Sequence, residues 1–191
     1  MSDITYSKNV IDFVTVAVEF CALLEKECFD SAQQPAKDPR AEWLDNMLKI
    51  LPLMYVKALL LPETLAVNDE EPPTFVKESD YVRVANRVAE IMGNEDAYLD
   101  VFVDDMKYSD TPVSAFVSEN IADIYQDVRN FVSVYQYELT EQMNDALHAC
   151  VNNFRDYWGQ KLVNSLRPLH ALKYRESEII DNEENTEDLW D

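Results

Sequence analysis

Glycine is scarce in this chain, which contains only Gly93 and Gly159 in 191 residues. An all-β fold needs many tight turns, and glycine adopts the positive φ angles of such turns most readily. Helices make no such demand, so the scarcity of glycine favours a helical protein. Glycine-rich loops that cradle phosphate groups are absent as well, and the sequence therefore gives no sign of a nucleotide site of that kind.

Cysteine is also scarce, and Cys21, Cys28 and Cys150 show neither the C-x-x-C nor the Cys/His spacing of metal sites. On one helix, Cys21 and Cys28 would lie about 10 Å apart along the axis. A disulfide requires Cα atoms within about 7 Å of each other. We therefore expect three reduced, mostly buried thiols.

Long apolar runs are absent from this chain, and basic residues are few. No apolar run approaches the roughly 20 residues that cross a bilayer, and the N-terminus has no basic segment of the kind found in signal peptides. Lysine and arginine number 16 against 37 acids, which gives a net charge of -21. Such a surface repels nucleic acids and anionic membranes. The sequence predicts a cytoplasmic protein that binds neither.

What the chain does contain is helical periodicity, most clearly over residues 118–172. Apolar residues recur there at spacings of three and four in two successive stripes. Between the stripes, Thr140 with an acid directly behind it is typical of a helix N-cap and first turn. We predict two long antiparallel helices that meet near Leu139.

Other periodic stretches predict the rest of the fold. Asp38 followed by proline is typical of a helix start, and this helix should bend at Pro52 and end at Pro62. Ser79 is the expected N-cap of the next helix, which Gly93 should close. The predicted helices are residues 9–29, 40–61 and 79–93, with an exposed acidic loop over residues 63–74.

Residues 94–112 fit two structures. We predict a short helix followed by a loop, although the β-branched residues around Phe102 suit a strand equally well. The acids of this stretch lack the alternating aspartates and the turn glycine of a calcium-binding loop. They are expected to form a solvated acidic face.

Together these patterns predict an all-α fold: a single-domain helical bundle of four to six helices, with a kinked second helix and a long C-terminal helical hairpin. We assign residues 1–172 to the domain and residues 173–191 to an acidic tail. Eight acids and no base lie between residues 176 and 191, so we expect the tail to be mobile. It ends near Trp190, an aromatic that could dock in a groove, although an inert tail explains the composition as well.

One set of acids and a histidine has the residue types of a metal site: Glu119, Asp123, Asp127, Asp145 and His148. It superficially resembles the carboxylate-bridged metal sites of helical bundles. The first three acids, however, lie at roughly 160° to 240° around their helix from the apolar stripe, away from the hairpin seam. Unless another helix covers that side, they form a solvated face. We predict no metal, no cofactor and no catalytic residue, and a half-buried, hydrogen-bonded His148.

A basic strip near the C-terminus breaks the acidic pattern. Five bases lie between residues 155 and 175 against the single acid Asp156, a local charge of +4. Either this strip recognises an anion or partner and the acidic tail screens it, or its bases pair with acids of neighbouring helices. The bases are Arg155, Lys161, Arg167, Lys173 and Arg175.

The chain resembles a bacterial family that is known only as a domain of unknown function. The resemblance rests on residues 105–110 (DMKYSD), 121–127 (IADIYQD) and 157–162 (YWGQKL). It covers most of the region before the tail. It implies a small bacterial protein without an assigned activity, so it transfers no catalytic residue to this chain.

The favoured hypothesis is a non-enzymatic helical module that binds a protein partner, because catalytic motifs are missing and the surface is acidic. The alternative is an enzyme or small-anion binder that uses the basic, aromatic stretch 155–167. A third hypothesis is a mimic of nucleic acid that occupies basic proteins. The residues predicted to bind are His148, Arg155, Trp158, Lys161 and Arg167.

Overall fold

The structure, a computed structural model, describes residues 4–26, 38–68, 70–100 and 113–187, with the side chains of the last helix described as far as Arg175. A 3-10 turn (Ile4–Tyr6) precedes the first helix, and a second 3-10 turn (Gly93–Glu95) follows the third. The main elements are α1 (Lys8–Glu25), α2 (Pro39–Leu59), α3 (Glu78–Met92), β1 (Ala97–Asp100), β2 (Val113–Phe116), α4 (Val117–Gln136), α5 (Met143–Asn153) and α6 (Gly159–Glu187).

The single-domain, predominantly helical prediction is confirmed, and α4 lies at its centre. This helix packs against α1, α3, α5 and α6. Its apolar residues recur around most of its circumference, which is the pattern of a helix surrounded by others. They bury their side chains in the core: Ile121, Ile124, Tyr125, Val128, Phe131, Val132 and Val134.

Helix α2 begins as its sequence predicts. The Asp38 carboxylate accepts a hydrogen bond from the backbone N–H of Arg40 at 3.0 Å, and Pro39 occupies the first helical position. The helix continues through Pro52 to Leu59 as one element. A bend at Pro52 stays a prediction.

Two predicted N-caps are wrong. Helix α3 begins one residue before Ser79, and its N-cap is Lys77, whose N–H donates to the Asp80 carboxylate at 3.2 Å. Thr140 does not cap α5 either, because Gln142 occupies the N-cap position, and the Thr140 N–H donates to the carbonyl of Glu138 within the interhelical turn. That turn continues to Gln142 before α5 begins. Gly93 does close α3 with φ of 57°, as predicted.

The prediction of a short helix after residue 94 is wrong for residues 97–100. They form β1, which pairs antiparallel with β2 so that Ala97 faces Phe116 and Asp100 faces Val113. Local propensity does not separate helix from strand here, and the deciding partner lies beyond residue 112. Residues 101–112, which include Asp104, Asp105 and Asp110 of the predicted solvated acidic face, lie outside the described residues.

Asp96 connects this hairpin to the central helix. Its carbonyl accepts from the N–H of Val117 at 2.9 Å, and its carboxylate accepts from the N–H (2.8 Å) and hydroxyl (2.6 Å) of Ser118. The residue at the N-cap position, Phe116, has no side-chain acceptor. Asp96, which lies 22 positions before Ser118, therefore caps α4.

The predicted C-terminal hairpin is present, with one irregularity in its second arm. Between α5 and α6 the residues Phe154–Trp158 form a π-helical segment, in which the Gly159 N–H bonds to the Phe154 carbonyl. A Cβ at Gly159 would lie 2.9 Å from the Phe154 ring, so this position requires glycine. Backbone helix is assigned as far as Glu187. The domain boundary at residue 172 and the mobility of the tail stay predictions.

Two of the three thiols are described. Cys21 and Cys150 are reduced and buried, as expected, while Cys28 lies outside the described residues. Burial raises the pKa of both described thiols, which keeps them in the unreactive protonated form.

Candidate functional site

The loop between α2 and α3, residues 60–77, is a strap across α4 and α5; all of it except residue 69 is described. Three side chains of α5 hold its first half. Asn144 donates to the carbonyl of Leu65 at 2.8 Å, and His148 lies 2.6 Å from the carbonyl of Thr64. Asp145 accepts from the backbone N–H of Val67 at 2.7 Å. The predicted exposed loop is thus exposed in its side chains and bound through its backbone.

Asp145 is the principal anchor of the strap. This buried carboxylate also accepts from the N–H of Asn68 at 3.1 Å and from the side chains of Asn68 and Asn144. The Val67 N–H contributes most to holding the pKa of Asp145 below its ordinary value, and the asparagine bonds add to this although burial opposes it. The residue therefore serves as an ionised acceptor.

Asn130 of α4 holds the second half of the strap. Its side-chain oxygen accepts from the N–H of Phe75 at 2.7 Å and from that of Val76 at 2.9 Å. The ring of Phe75 packs against Tyr137 with centroids 5.3 Å apart. The strap is fastened on both sides of residues 70–74.

His148 is half-buried and hydrogen-bonded, as predicted. The carbonyl of Thr64 can only accept, so Nδ1 carries the proton, and Nε2 accepts from the Asn152 side chain at 3.0 Å. Both ring nitrogens of the neutral tautomer are engaged. The structure places this residue among the strap anchors, and a role of His148 in ligand binding stays a prediction.

The acids of α4 are not a solvated face, which corrects the directional prediction. Helix α3 covers that side, and its Tyr81 hydroxyl donates to Asp123 at 3.0 Å. Lys161 of α6 forms an ion pair with Asp123 at 2.7 Å and lies 4.8 Å from the centre of the Tyr157 ring. Only the first acid of the series, Glu119, is exposed. The prediction that they point away from the hairpin seam is wrong for Asp123 and Asp127, because Lys161 and the Asn153 side chain, both on the second arm of the hairpin, bond to them.

The titration of this cluster follows from its burial. Burial and the Asp123 charge raise the pKa of Tyr81, so its hydroxyl stays protonated and donates. Burial lowers the pKa of Lys161, but the bond and charge of Asp123 outweigh it and the net shift is upward. Among the residues whose side chains are described, no group of three or more His, Cys, Asp or Glu is placed to hold a metal ion.

The basic residues do not converge on one site. Arg155 is exposed and paired with Glu63 of the strap, whereas Trp158 is fully buried and stacks on Phe13 with centroids 6.3 Å apart. Arg167 is exposed on α6. Lys173 pairs with Asp45 of α2, and Arg175 with Glu95 at 3.1 Å. Four of the five bases thus pair with acids of other elements. This agrees with the interpretation in which the bases of the strip pair with acids of neighbouring helices.

A groove of about 620 Å³ lies where α2, the π-helical segment and α6 meet. Tyr55, Leu59, Phe154 and Val163 give it apolar walls, and Arg155 lines its margin. Phe154 reaches inward from this groove, with its ring 5.2 Å from Tyr55 and 4.7 Å from Trp158. The groove is therefore continuous with the core of the protein.

An apolar strip on the surface of α2 borders this groove. Leu53, Val56, Leu59 and Leu60 lie within about 120° of the helix circumference, and their exposed fractions are 46%, 52%, 61% and 49%. Leu59 belongs to the strip and to the groove wall. Sequence reasoning missed this surface, but a signal was present: residues 40–61 carry more apolar residues than one buried face uses.

The comparisons with known proteins come from sequence and from structure. The model of a family described as a domain of unknown function, DUF5063, matches residues 4–175. The chain belongs to this family. The match includes the strap, the α2 strip and the groove, and the resemblance seen in the sequence is confirmed.

A solved structure supports the fold. The crystal structure of protein BF1032 from Bacteroides fragilis, a structural genomics target, superposes with a TM-score of 0.74 at 42% identity and covers 90% of this chain and 96% of its own. Its source agrees with the predicted bacterial affiliation. No curated protein matches the sequence. The helices within residues 4–26, 38–68, 70–100 and 113–187 include none that is long and apolar enough to cross a membrane.

Proposed function

We propose that this DUF5063 protein is a non-enzymatic interaction module that binds a basic amphipathic helix of a partner protein. The observation that carries the proposal is the exposed strip of Leu53, Val56, Leu59 and Leu60, which runs into the groove. Contiguous exposed apolar surface on a folded protein is typical of interaction sites. A partner helix with apolar residues on one face would pack against an exposed apolar strip that leads into a groove.

Charge selects between the possible occupants of the groove. A second copy of this chain would carry the same charge of -21, so long-range repulsion opposes self-association. A partner with a basic polar face is instead attracted, and association is accelerated at low salt. Asp100 in the groove lining adds a local contribution of the same sign, whereas the charges of Glu63 and Arg155 compensate each other.

The geometry supports the small-anion or enzyme alternative less well. A site over residues 155–167 would need Arg155, Lys161 and Arg167 to converge, whereas the first two are paired on different elements. Trp158, the aromatic proposed for that site, is buried in the core. The alternative would still be recognised by binding of phosphate that is lost in Arg155→Ala.

The test measures fluorescence anisotropy of a labelled 18-residue peptide of leucine and lysine at helical spacing, with a scrambled peptide as control. Val56→Ser should weaken binding at least fivefold. Val82→Ser is the matched control, since Val82 is 45% exposed but lies on α3, away from the strip. We expect V82S to bind like the wild type.

Three results would contradict the proposal. Equal binding of the ordered and scrambled peptides would show attraction by charge alone. Equal loss in V56S and V82S would remove the strip from the interaction. Concentration-dependent dimerisation that V56S abolishes, measured by light scattering, would make a second copy the occupant.

A further inference from the structure

A cavity of about 280 Å³ lies beneath the strap, between residues 71–74, α4 and α5. It shares no lining residue with the groove beside α2. Its walls are mixed: Phe131, Val134 and Ala149 are among the apolar residues, and the polar groups come from Glu71, Thr74, Asp127, Asn130 and Asn153. Ligand pockets usually measure about 300–1,000 Å³, so this one suits a small molecule.

The roof of this cavity is preformed. The Asp145 bonds to Val67 and Asn68 fasten the strap on one side, and the Asn130 bonds to Phe75 fasten it on the other. Two consecutive prolines in the roof, at positions 72 and 73, have restricted φ angles. A ligand would enter a built space and would not have to order the loop.

Asp127 is the chemical centre of the cavity. It is half-buried, and its one hydrogen bond among the described residues comes from the Asn153 side chain at 2.7 Å. Burial raises its pKa, the Asn153 bond opposes this, and the nearby charge of Asp123 adds to it. None of the groups that shift the pKa of Asp127 is a basic side chain. A partly buried carboxylate without a cation is under-compensated, because burial disfavours an unpaired charge.

The lining determines which ligand would compensate this charge. An ionised carboxylate only accepts hydrogen bonds, and the second acid of the lining, Glu71, adds negative charge. No base is among the described residues that line the cavity. An ammonium group supplies both the missing charge and several donors, while an aliphatic or aromatic body would pack against Phe131 and Val134.

We propose that the cavity beneath the strap binds a small organic amine, with its ammonium group on Asp127 and its apolar body against α4 and α5. This site is separate from the proposed docking surface on α2. Asn153 also lines the cavity, and because its side-chain nitrogen donates to Asp127, its side-chain oxygen is the group that would accept a second bond from the ammonium group.

The experiment titrates the full chain with phenethylamine, cyclohexylamine and putrescine and follows the backbone amides by NMR. We expect at least one amine to shift the amides of Val134, Ala149 and Asn153. The uncharged analogue of phenethylamine, 2-phenylethanol, should bind at least tenfold more weakly. Failure of all three amines to shift these amides would overturn the proposal.

Variants distinguish amine binding in the cavity from unspecific attraction of a cation to an acidic protein. Asp127→Asn should weaken amine binding at least tenfold, and Ala149→Leu should abolish it by filling the space. Glu119→Gln is the matched control, since it removes one exposed acid of the same helix and should leave binding unchanged. Circular dichroism verifies that each variant is folded. Equal weakening in D127N and E119Q, or complete loss of wild-type binding at ~0.5 M NaCl, would indicate unspecific charge attraction and overturn the site.

Discussion

The strap and the α2 strip are both surface features with exposed apolar side chains, and they are held in opposite ways. On the strap, Leu65 and Val67 are 82% and 77% exposed, yet their backbone groups bond to α5. On the strip, the backbone is that of α2 and its C-cap Leu60, and the side chains lack any described cover. Polar anchors therefore account for the conformation of the strap, whereas no anchor accounts for the apolar surface of the strip. The exposed apolar surface of α2 has no such structural role, which is typical of an interaction site.

The largest effect is expected where the groove of the strip meets the core. Phe154→Ala should lower the free energy of unfolding by about 3–5 kcal/mol, because it removes a ring that is 8% exposed and leaves a cavity. Urea denaturation followed by circular dichroism measures this. A loss below about 1 kcal/mol would mean that the groove is not part of the core.

The next effect tests whether polar anchors hold the strap. Asp145→Ala should cost about 2 kcal/mol, since it removes charged acceptors from the N–H groups of Val67 and Asn68. Asp156→Ala, the same change at an exposed acid, should be close to neutral. Hydrogen exchange of the two strap amides should accelerate in D145A. Unchanged exchange there would show that the strap is held by something other than Asp145.

The third-largest effect is expected at Asp123, which connects helices to one another and does not hold the strap. Asp123→Ala should cost about 1–2 kcal/mol, because it leaves Lys161 and the Tyr81 hydroxyl half-buried without their acceptor. Glu119→Ala, at an exposed site of the same helix, should change the stability by less than about 0.5 kcal/mol. Equal effects of the two variants in urea denaturation would restore the solvated-face interpretation.

A fourth prediction concerns the pH dependence of the ion pair between Asp45 of α2 and Lys173 of α6. Hydrogen bonds from Lys173 and Lys49 lower the pKa of Asp45 from 3.8 to about 2. A lowered acid pKa stabilises the folded state above the unfolded value and stops doing so as pH falls through the folded value. The difference in Tm between wild type and Asp45→Asn should therefore be largest above pH 4 and disappear near pH 2. A difference that stays constant over this range would contradict the assignment.

The smallest effect on stability is expected for a substitution on the strip itself. Val56→Ser on the strip should change the stability by less than about 0.5 kcal/mol, whereas the same substitution at the fully buried Val84 should destabilise the protein markedly. Thermal denaturation of both variants is the measurement. A marked loss in V56S would mean that the strip is structural, and its exposure would no longer support docking.

The sequence is sufficient to predict the long helices because the spacing of their apolar residues is local, although the N-caps of α3 and α5 were predicted wrongly. The N-cap Asp38 and the closing Gly93 need partners only a few positions away, and both were predicted correctly. The strap anchors could not be predicted in this way, since Asp145 and Val67 are 78 positions apart. A helical wheel shows the direction in which Asp123 points, but not that α3 lies there. The strip was missed because exposure depends on which faces neighbouring helices leave bare.

The contacts of Asp96 have a consequence for the order of folding. Helix α4 has no local side-chain cap, and its first N–H groups bond to a residue on the far side of the β-hairpin. The chain must therefore close that loop before the first turn of the central helix is complete, and loop closure of this kind slows folding. Hairpin and helix start should gain protection together, as one cooperative unit, while the middle of α4 can form earlier. A substitution at Asp96 would then mainly slow the joining of the two halves of the chain.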